Sequence, residues 1–151
     1  MSFKTVALFG ANGQIGQSIL QALLDCKKQE FNVITFLPPD TSLPFGVDKP
    51  NVTVKHFDLT SVSREDLSSA LKGVDAVVSA LNGKALEAQV VIQDAAADAG
   101  VQRFYPSEYG MHHIYRKPGD DQGYLHPVSR PVACTSEAPL EQFLSTLHAL
   151  P

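Results

Sequence analysis

The chain has 151 residues, 44% hydrophobic and 19% charged, with a formal net charge of −4. That is a single globular domain's worth of sequence, with enough apolar residues to bury a core. The acid excess argues against nucleic acid or an anionic membrane surface as the main partner, and no apolar run approaches the roughly 20 residues of a membrane-spanning helix.

Thr5-Val-Ala-Leu-Phe9 reads as a short buried strand. It runs directly into Gly10-Ala-Asn-Gly13-Gln-Ile-Gly16, a glycine turn that opens a helix. In such a strand–turn–helix unit Gly10 permits the tight turn, Gly13 lets backbone approach a pyrophosphate, and Gly16 lets helix and strand pack closely. The helix N-terminus then offers free N–H groups and partial positive charge to an anion. Ile15, Ile19, Leu20, Leu23 and Leu24 continue at helical spacing. Phe31 to Leu37 is a second strand, rich in β-branched and aromatic residues, stopped by Pro38-Pro39. Thr41 to Pro50 reads as an exposed loop.

Val52 to Phe57 is a third strand, followed by Asp58. Ser63-Arg-Glu-Asp66 resembles a capping box, with Leu67, Ala70 and Leu71 behind it and Gly73 as the stop. Val74 to Leu81 is a nearly continuous apolar strand, as suits a parallel sheet covered on both faces. Lys84 to Ala99 is helical by composition and closed by Gly100; Val101 to Tyr105 is a fifth strand ending at Pro106. Strands alternate with helices about five times, the pattern of a doubly wound α/β sheet. A ligand crevice is expected at the strands' carboxyl ends, where the glycine turn, Pro38-Pro39, Asp58, Ser79 to Asn82 and Ser107 all fall.

From Gly110 onward the alternation stops. Met111 to Gln122 is polar, residues 126–136 show no period, and Pro139 to Leu150 reads as a short amphipathic helix. The expected organisation is a nucleotide-binding domain over 1–125 and an irregular tail over 126–151. His112, His113 and His126 lack partners at ligand spacing, so no metal site is expected. Ser107 lacks the Gly-x-Ser-x-Gly elbow of a hydrolase. Met1-Ser-Phe-Lys-Thr5 lacks the apolar region of a signal peptide. Cys26 and Cys134 are therefore expected as free thiols, and the chain as cytoplasmic.

Gly10 to Gly16, Val78-Ser-Ala-Leu81 and Arg103-Phe-Tyr-Pro-Ser-Glu-Tyr-Gly110 stand in order and at suitable spacing. Together they resemble the NmrA-like and isoflavone-reductase-like group of atypical short-chain dehydrogenases, over roughly four-fifths of the chain. The resemblance implies a Rossmann-type doubly wound parallel sheet that binds NADP(H) in preference to NAD(H), with the substrate domain of enzymatic members largely missing here. Carried over by position, Gly10, Asn12, Gly13, Gln14 and Ile15 cradle the pyrophosphate. Asp58 and Leu59 lie near the adenine, Ala80, Leu81 and Asn82 line the path to the nicotinamide, and Pro106, Ser107 and Glu108 flank its far end. Ala80 and Leu81 read equally well as plain core, and Glu108 as a brace for its turn.

Two departures from the group stand out. The Arg that NADP-preferring members carry after the second strand is replaced by Leu37-Pro38-Pro39-Asp40; Asp40 is the nearest acid, and Lys4, Lys55 and Lys84 are alternative phosphate partners. The catalytic Lys of enzymatic relatives falls about twenty residues beyond Gly110, where Pro127-Val-Ser-Arg-Pro-Val-Ala133 stands instead. Lys117 is the substitute candidate for acid catalysis, and no Tyr-x-x-x-Lys pair is present. Three readings follow. The first is an oxidoreductase passing hydride to a small unsaturated or aromatic substrate. The second is a non-catalytic dinucleotide module that acts as a redox sensor on a regulatory protein partner. The third is a relative whose sequence from about Val128 onward is not family sequence. Without a substrate domain, exposed apolar surface and a homo-oligomer are expected.

Overall fold

The structure, a computed structural model, describes residues 3–107 and 109. Apolar residues at successive strand positions produce a sheet buried on both sides. The strands β1 (Thr5–Phe9), β2 (Asn32–Leu37), β3 (Val52–His56), β4 (Ala76–Ser79) and β5 (Arg103–Tyr105) are all parallel, in the order β3-β2-β1-β4-β5. Val6 and Leu8 of β1, Val33 and Leu37 of β2 and Val78 of β4 pack against Ile19, Leu20 and Leu23 of helix α1 (Gln14–Leu24). The alternate residues Ala7, Phe9, Phe36 and Val77 meet helices α2 (Arg64–Ala70) and α3 (Gln89–Asp98) through Leu67, Ile92, Ala95 and Ala96. This is the three-layer doubly wound architecture that the alternation predicts.

Element bounds depart from the sequence reading where neighbours decide them. β4 is four residues rather than eight, though Val74, Ala80 and Leu81 beside it are still buried. The helix expected over 84–99 starts as a 3-10 stretch, Gly83–Ala88, and becomes α-helical only at Gln89. No side chain at Asn82 caps that entry, so the ladder has no fixed start before Gln89. At Ser63 the expected cap forms: its Oγ accepts from Asp66 N at 3.1 Å and donates to the Asp66 carboxylate at 2.8 Å.

One side-chain link ties α2 to the sheet and another ties it to α3. Lys55 Nζ donates to the Ala70 carbonyl at 3.1 Å, at the C-terminal end of α2, and lies 5.9 Å from the centre of the Phe36 ring. Arg64 forks onto Asp98, with Nη2 to Oδ1 at 2.7 Å, joining α2 to α3. At the amino-terminal edge of the sheet, the Asp75 carboxylate accepts from Lys4 N and Thr5 N at 2.8 and 2.9 Å.

Candidate dinucleotide site

Five parallel strands put five carboxyl ends on one edge, and the order in which strands are added across the sheet reverses between β1 and β4, which are hydrogen-bonded neighbours. The glycine turn lies at that switch point. Gly10 takes φ +80°, and a Cβ there would lie 2.6 Å from the Ala80 carbonyl oxygen. Only glycine allows β1 and β4 to leave the sheet this close together. Gly16 is buried in the first turn of α1, and a Cβ there would meet the Gly10 carbonyl carbon at 2.7 Å and its oxygen closer still.

Gly13 is different. It is the N-cap of α1, with φ −78° and ψ 166°, angles that any residue adopts. A Cβ on it would touch only the Gly10 carbonyl oxygen, at 3.4 Å, an ordinary contact. The protein itself does not require glycine there. The turn is held by Gly13 N to Gly10 O at 3.1 Å and by Gln17 Nε2 to Asn12 O at 2.8 Å. The first helical bond closing onto the turn is Gln17 N to Gly13 O at 2.8 Å. An α-helix leaves the N–H groups ahead of that bond, at Gln14, Ile15 and Gly16, without intrahelical acceptors. No side chain caps this end and no acid stands in the first turn. Unspent donors and the positive end of the helix dipole together suit an anion.

The exits of β4 and β5 are tied to each other. The Ser107 hydroxyl donates to the Leu81 carbonyl at 2.6 Å, and Ser107 N donates to Gln89 Oε1 at 2.8 Å. Ala80 and Leu81 are buried core side chains on opposite faces of the sheet, so a ligand would meet their backbone. Asn82 is exposed just beyond them. Pro106 and Ser107 are half-buried, and burial pushes the phenols of Tyr105 and Tyr109 above their ordinary range.

At the other side of the switch point, Pro38 to Thr41 forms a turn closed by Thr41 N to Pro38 O at 3.3 Å. Pro39 occupies its second position, and Asp40 its third with φ 62°, the left-handed conformation of a type II turn. His56 Nδ1 lies 3.1 Å from the same Pro38 oxygen and must donate to it, because a carbonyl only accepts. Asp58 follows β3, and its carboxylate is committed to its own loop: Thr60 Oγ1 at 2.6 Å, Thr60 N at 2.9 Å and Ser61 Oγ at 3.0 Å. Those bonds, the Thr60 side chain first, hold the carboxyl below the ordinary carboxylate range.

Gly10, Asn12, Gly13, Gln14, Ile15, Asp58, Leu59, Ala80, Leu81, Asn82, Pro106 and Ser107 thus all fall on the carboxyl edge of the sheet or at the start of α1. Of the alternative phosphate partners, Lys4 precedes β1 at the opposite edge, Lys55 is engaged with α2, and Lys84 lies past β4. Glu108, His112, His113, Lys117, Cys134 and the helix expected over 139–150 lie outside the described residues. The sequence reading missed Gln89. Its signal was present: Gln89, Ile92 and Ala96 share one face of α3, which puts a polar residue at a core position.

A parallel β3-β2-β1-β4-β5 sheet with a glycine turn at its switch point defines a Rossmann-type domain. The NmrA-like family model matches residues 2–121, and the chain belongs to that family. An isoflavone reductase homolog of Solanum tuberosum is 36% identical over 121 residues, covering 73% of this chain and 37% of that protein. A crystal structure of isoflavone reductase superposes with a TM-score of 0.56 at 25% identity, over 73% of this chain and 38% of that one. The complex of leucoanthocyanidin reductase with NADPH from Vitis vinifera shares the fold, with TM-score 0.56 and 24% identity over 72% of this chain and 37% of the other. The chain spans little more than a third of the length of several curated relatives that it matches, 35–37%.

Proposed function

We propose that this chain binds a nicotinamide dinucleotide on the edge described above and belongs to an oxidoreductase that passes hydride to a small unsaturated or aromatic substrate. One observation carries the reading. Gly13 stands at the uncapped, acid-free start of α1, where neither backbone angles nor neighbours call for glycine, so a ligand's close approach is what its missing side chain serves. In this arrangement Gly10, Asn12, Gly13, Gln14 and Ile15 cradle the diphosphate: Gln14 and Ile15 offer it backbone N–H groups, and Gly13, whose own N–H is given to Gly10, leaves the room for its approach. Asp58 and Leu59 border the adenine by backbone and apolar surface, since the Asp58 carboxylate is already spent. Ala80, Leu81, Asn82, Pro106 and Ser107 border the nicotinamide.

The family resemblance and the NADPH bound by leucoanthocyanidin reductase favour NADP(H) over NAD(H). When bound, the nicotinamide supplies the hydride. The chain's own part is to orient the two ends of the coenzyme and to present the substrate, with Lys117 the candidate for the accompanying proton. The rival reading, a dinucleotide-dependent sensor without turnover, draws on the missing lysine in Pro127 to Ala133.

Calorimetric titration with NADPH and NADH, followed by an oxidation assay over a panel of enones and quinones, tests both. Saturable binding with turnover supports the oxidoreductase. Saturable binding without turnover selects the sensor, and no binding of either nucleotide refutes the site.

A further inference from the structure

The hydrogen-bonded ladder between β4 and β5 ends at the pair Val78 and Tyr105. Past it, the two chains leave the sheet and nothing in a parallel ladder keeps them together. Two bonds do so here: Ser107 Oγ to Leu81 O at 2.6 Å and Ser107 N to Gln89 Oε1 at 2.8 Å. Gln89 is only 5% exposed and opens α3, so its amide is fixed by the packing of that helix against the sheet. We infer that Gln89 is a positioning residue that, through Ser107, fixes the spacing of the β4 and β5 exits and so shapes the nicotinamide end of the site. The inference rests on the dinucleotide reading given above.

The chemistry of the hydroxyl narrows what this end can do. A serine hydroxyl has one proton and two lone pairs. At Ser107 the proton is given to the Leu81 carbonyl, so the oxygen is left with acceptor capacity only. It suits a ligand N–H group, such as that of a carboxamide, and cannot pass a proton to a substrate while the bond stands. Gln89 keeps it so by holding the Ser107 backbone at its place. An aliphatic side chain of the same length would leave the Ser107 N–H without its partner and free the turn to move.

The test compares coenzymes with analogues that lack only the nicotinamide: NADH against ADP-ribose, and NADPH against 2′-phospho-ADP-ribose. For the wild-type chain the ring-bearing member of the preferred pair should bind more tightly. Gln89→Met should lower that member's affinity about tenfold and change its ring-less analogue less than about twofold. Gln89→Glu retains an acceptor oxygen at the same reach for the Ser107 N–H, so it should restore the wild-type ratio. Gln89→Asn, which keeps the amide but draws its oxygen back from the Ser107 N–H by one methylene, should reproduce the Gln89→Met pattern and decides the matter if that variant does not fold.

Equal losses for both members of a pair, or no change in either, overturn the inference. So does a wild-type chain that binds the two members equally, which leaves the dinucleotide reading standing. A wild-type chain that binds none of the four refutes that reading and this one together.

Discussion

Gly13→Ala separates a glycine kept for a ligand from one kept for the fold. The new Cβ would lie 3.4 Å from the Gly10 carbonyl oxygen, and the backbone angles of −78° and 166° suit alanine. Alanine is a poorer N-cap than glycine, by about 0.5–1 kcal/mol. Removing glycine's freedom in the unfolded chain offsets about 0.4–1 kcal/mol of that. The net change in stability is therefore within about 1 kcal/mol, a shift of no more than about 2–4 °C in Tm for a chain of 151 residues. Binding responds differently, because a methyl group at the helix start holds a diphosphate away from its donors. Losing one hydrogen bond to a charged group costs about 1.5–3 kcal/mol, or roughly ten- to a hundredfold in Kd. Gly16→Ala is the matched control: its Cβ meets the Gly10 backbone, so the variant should melt far lower or fail to fold. Thermal melts and calorimetric NADPH titration of the two variants check this. A Gly13→Ala protein with unchanged affinity, or one as unstable as Gly16→Ala, refutes the reasoning.

Three further outcomes are expected. The Ser79 hydroxyl is fully buried and, among the described residues, lacks a hydrogen-bond partner, so Ser79→Ala should leave Tm unchanged or raise it by a few degrees, about 1 kcal/mol; a clear fall would contradict this. Asp40→Arg replaces an exposed acid at the β2 exit by a cation, and should raise the affinity for NADPH relative to NADH about tenfold in paired titrations; an unchanged ratio removes this corner from the coenzyme's ribose. The Asp58 carboxyl titrates below its ordinary value of 3.8, so its contribution to stability is complete above that value and is lost as pH falls through its lowered one. Melts of Asp58→Ala should lie below wild type at neutral pH and converge with it as the pH falls below the ordinary carboxylate range; a constant gap contradicts the assignment.

The parts of this fold set by local pattern were legible in the sequence. β1 matches its prediction residue for residue, because five apolar or small positions ending in glycine leave no other period to follow. The Ser63 cap, the two-sided burial of β4 and the glycine turn are equally local. What the sequence hid depends on partners far along the chain. Gln89 and Ser107 are 18 residues apart and meet only once the sheet exists. Lys55 reads as a surface charge until α2 places the Ala70 carbonyl above it. The different duties of the three glycines were also hidden, since Gly10 and Gly16 are fixed by Ala80 and by each other, and Gly13 by neither.

The central claim is that backbone amides at the start of α1 hold the coenzyme's diphosphate. Amide chemical-shift mapping of the isotope-labelled chain during NADPH titration tests it most directly. The account predicts the largest saturable shifts at Asn12, Gly13, Gln14, Ile15 and Gly16. Silent amides there at saturating nucleotide, with the response elsewhere or absent, would contradict it.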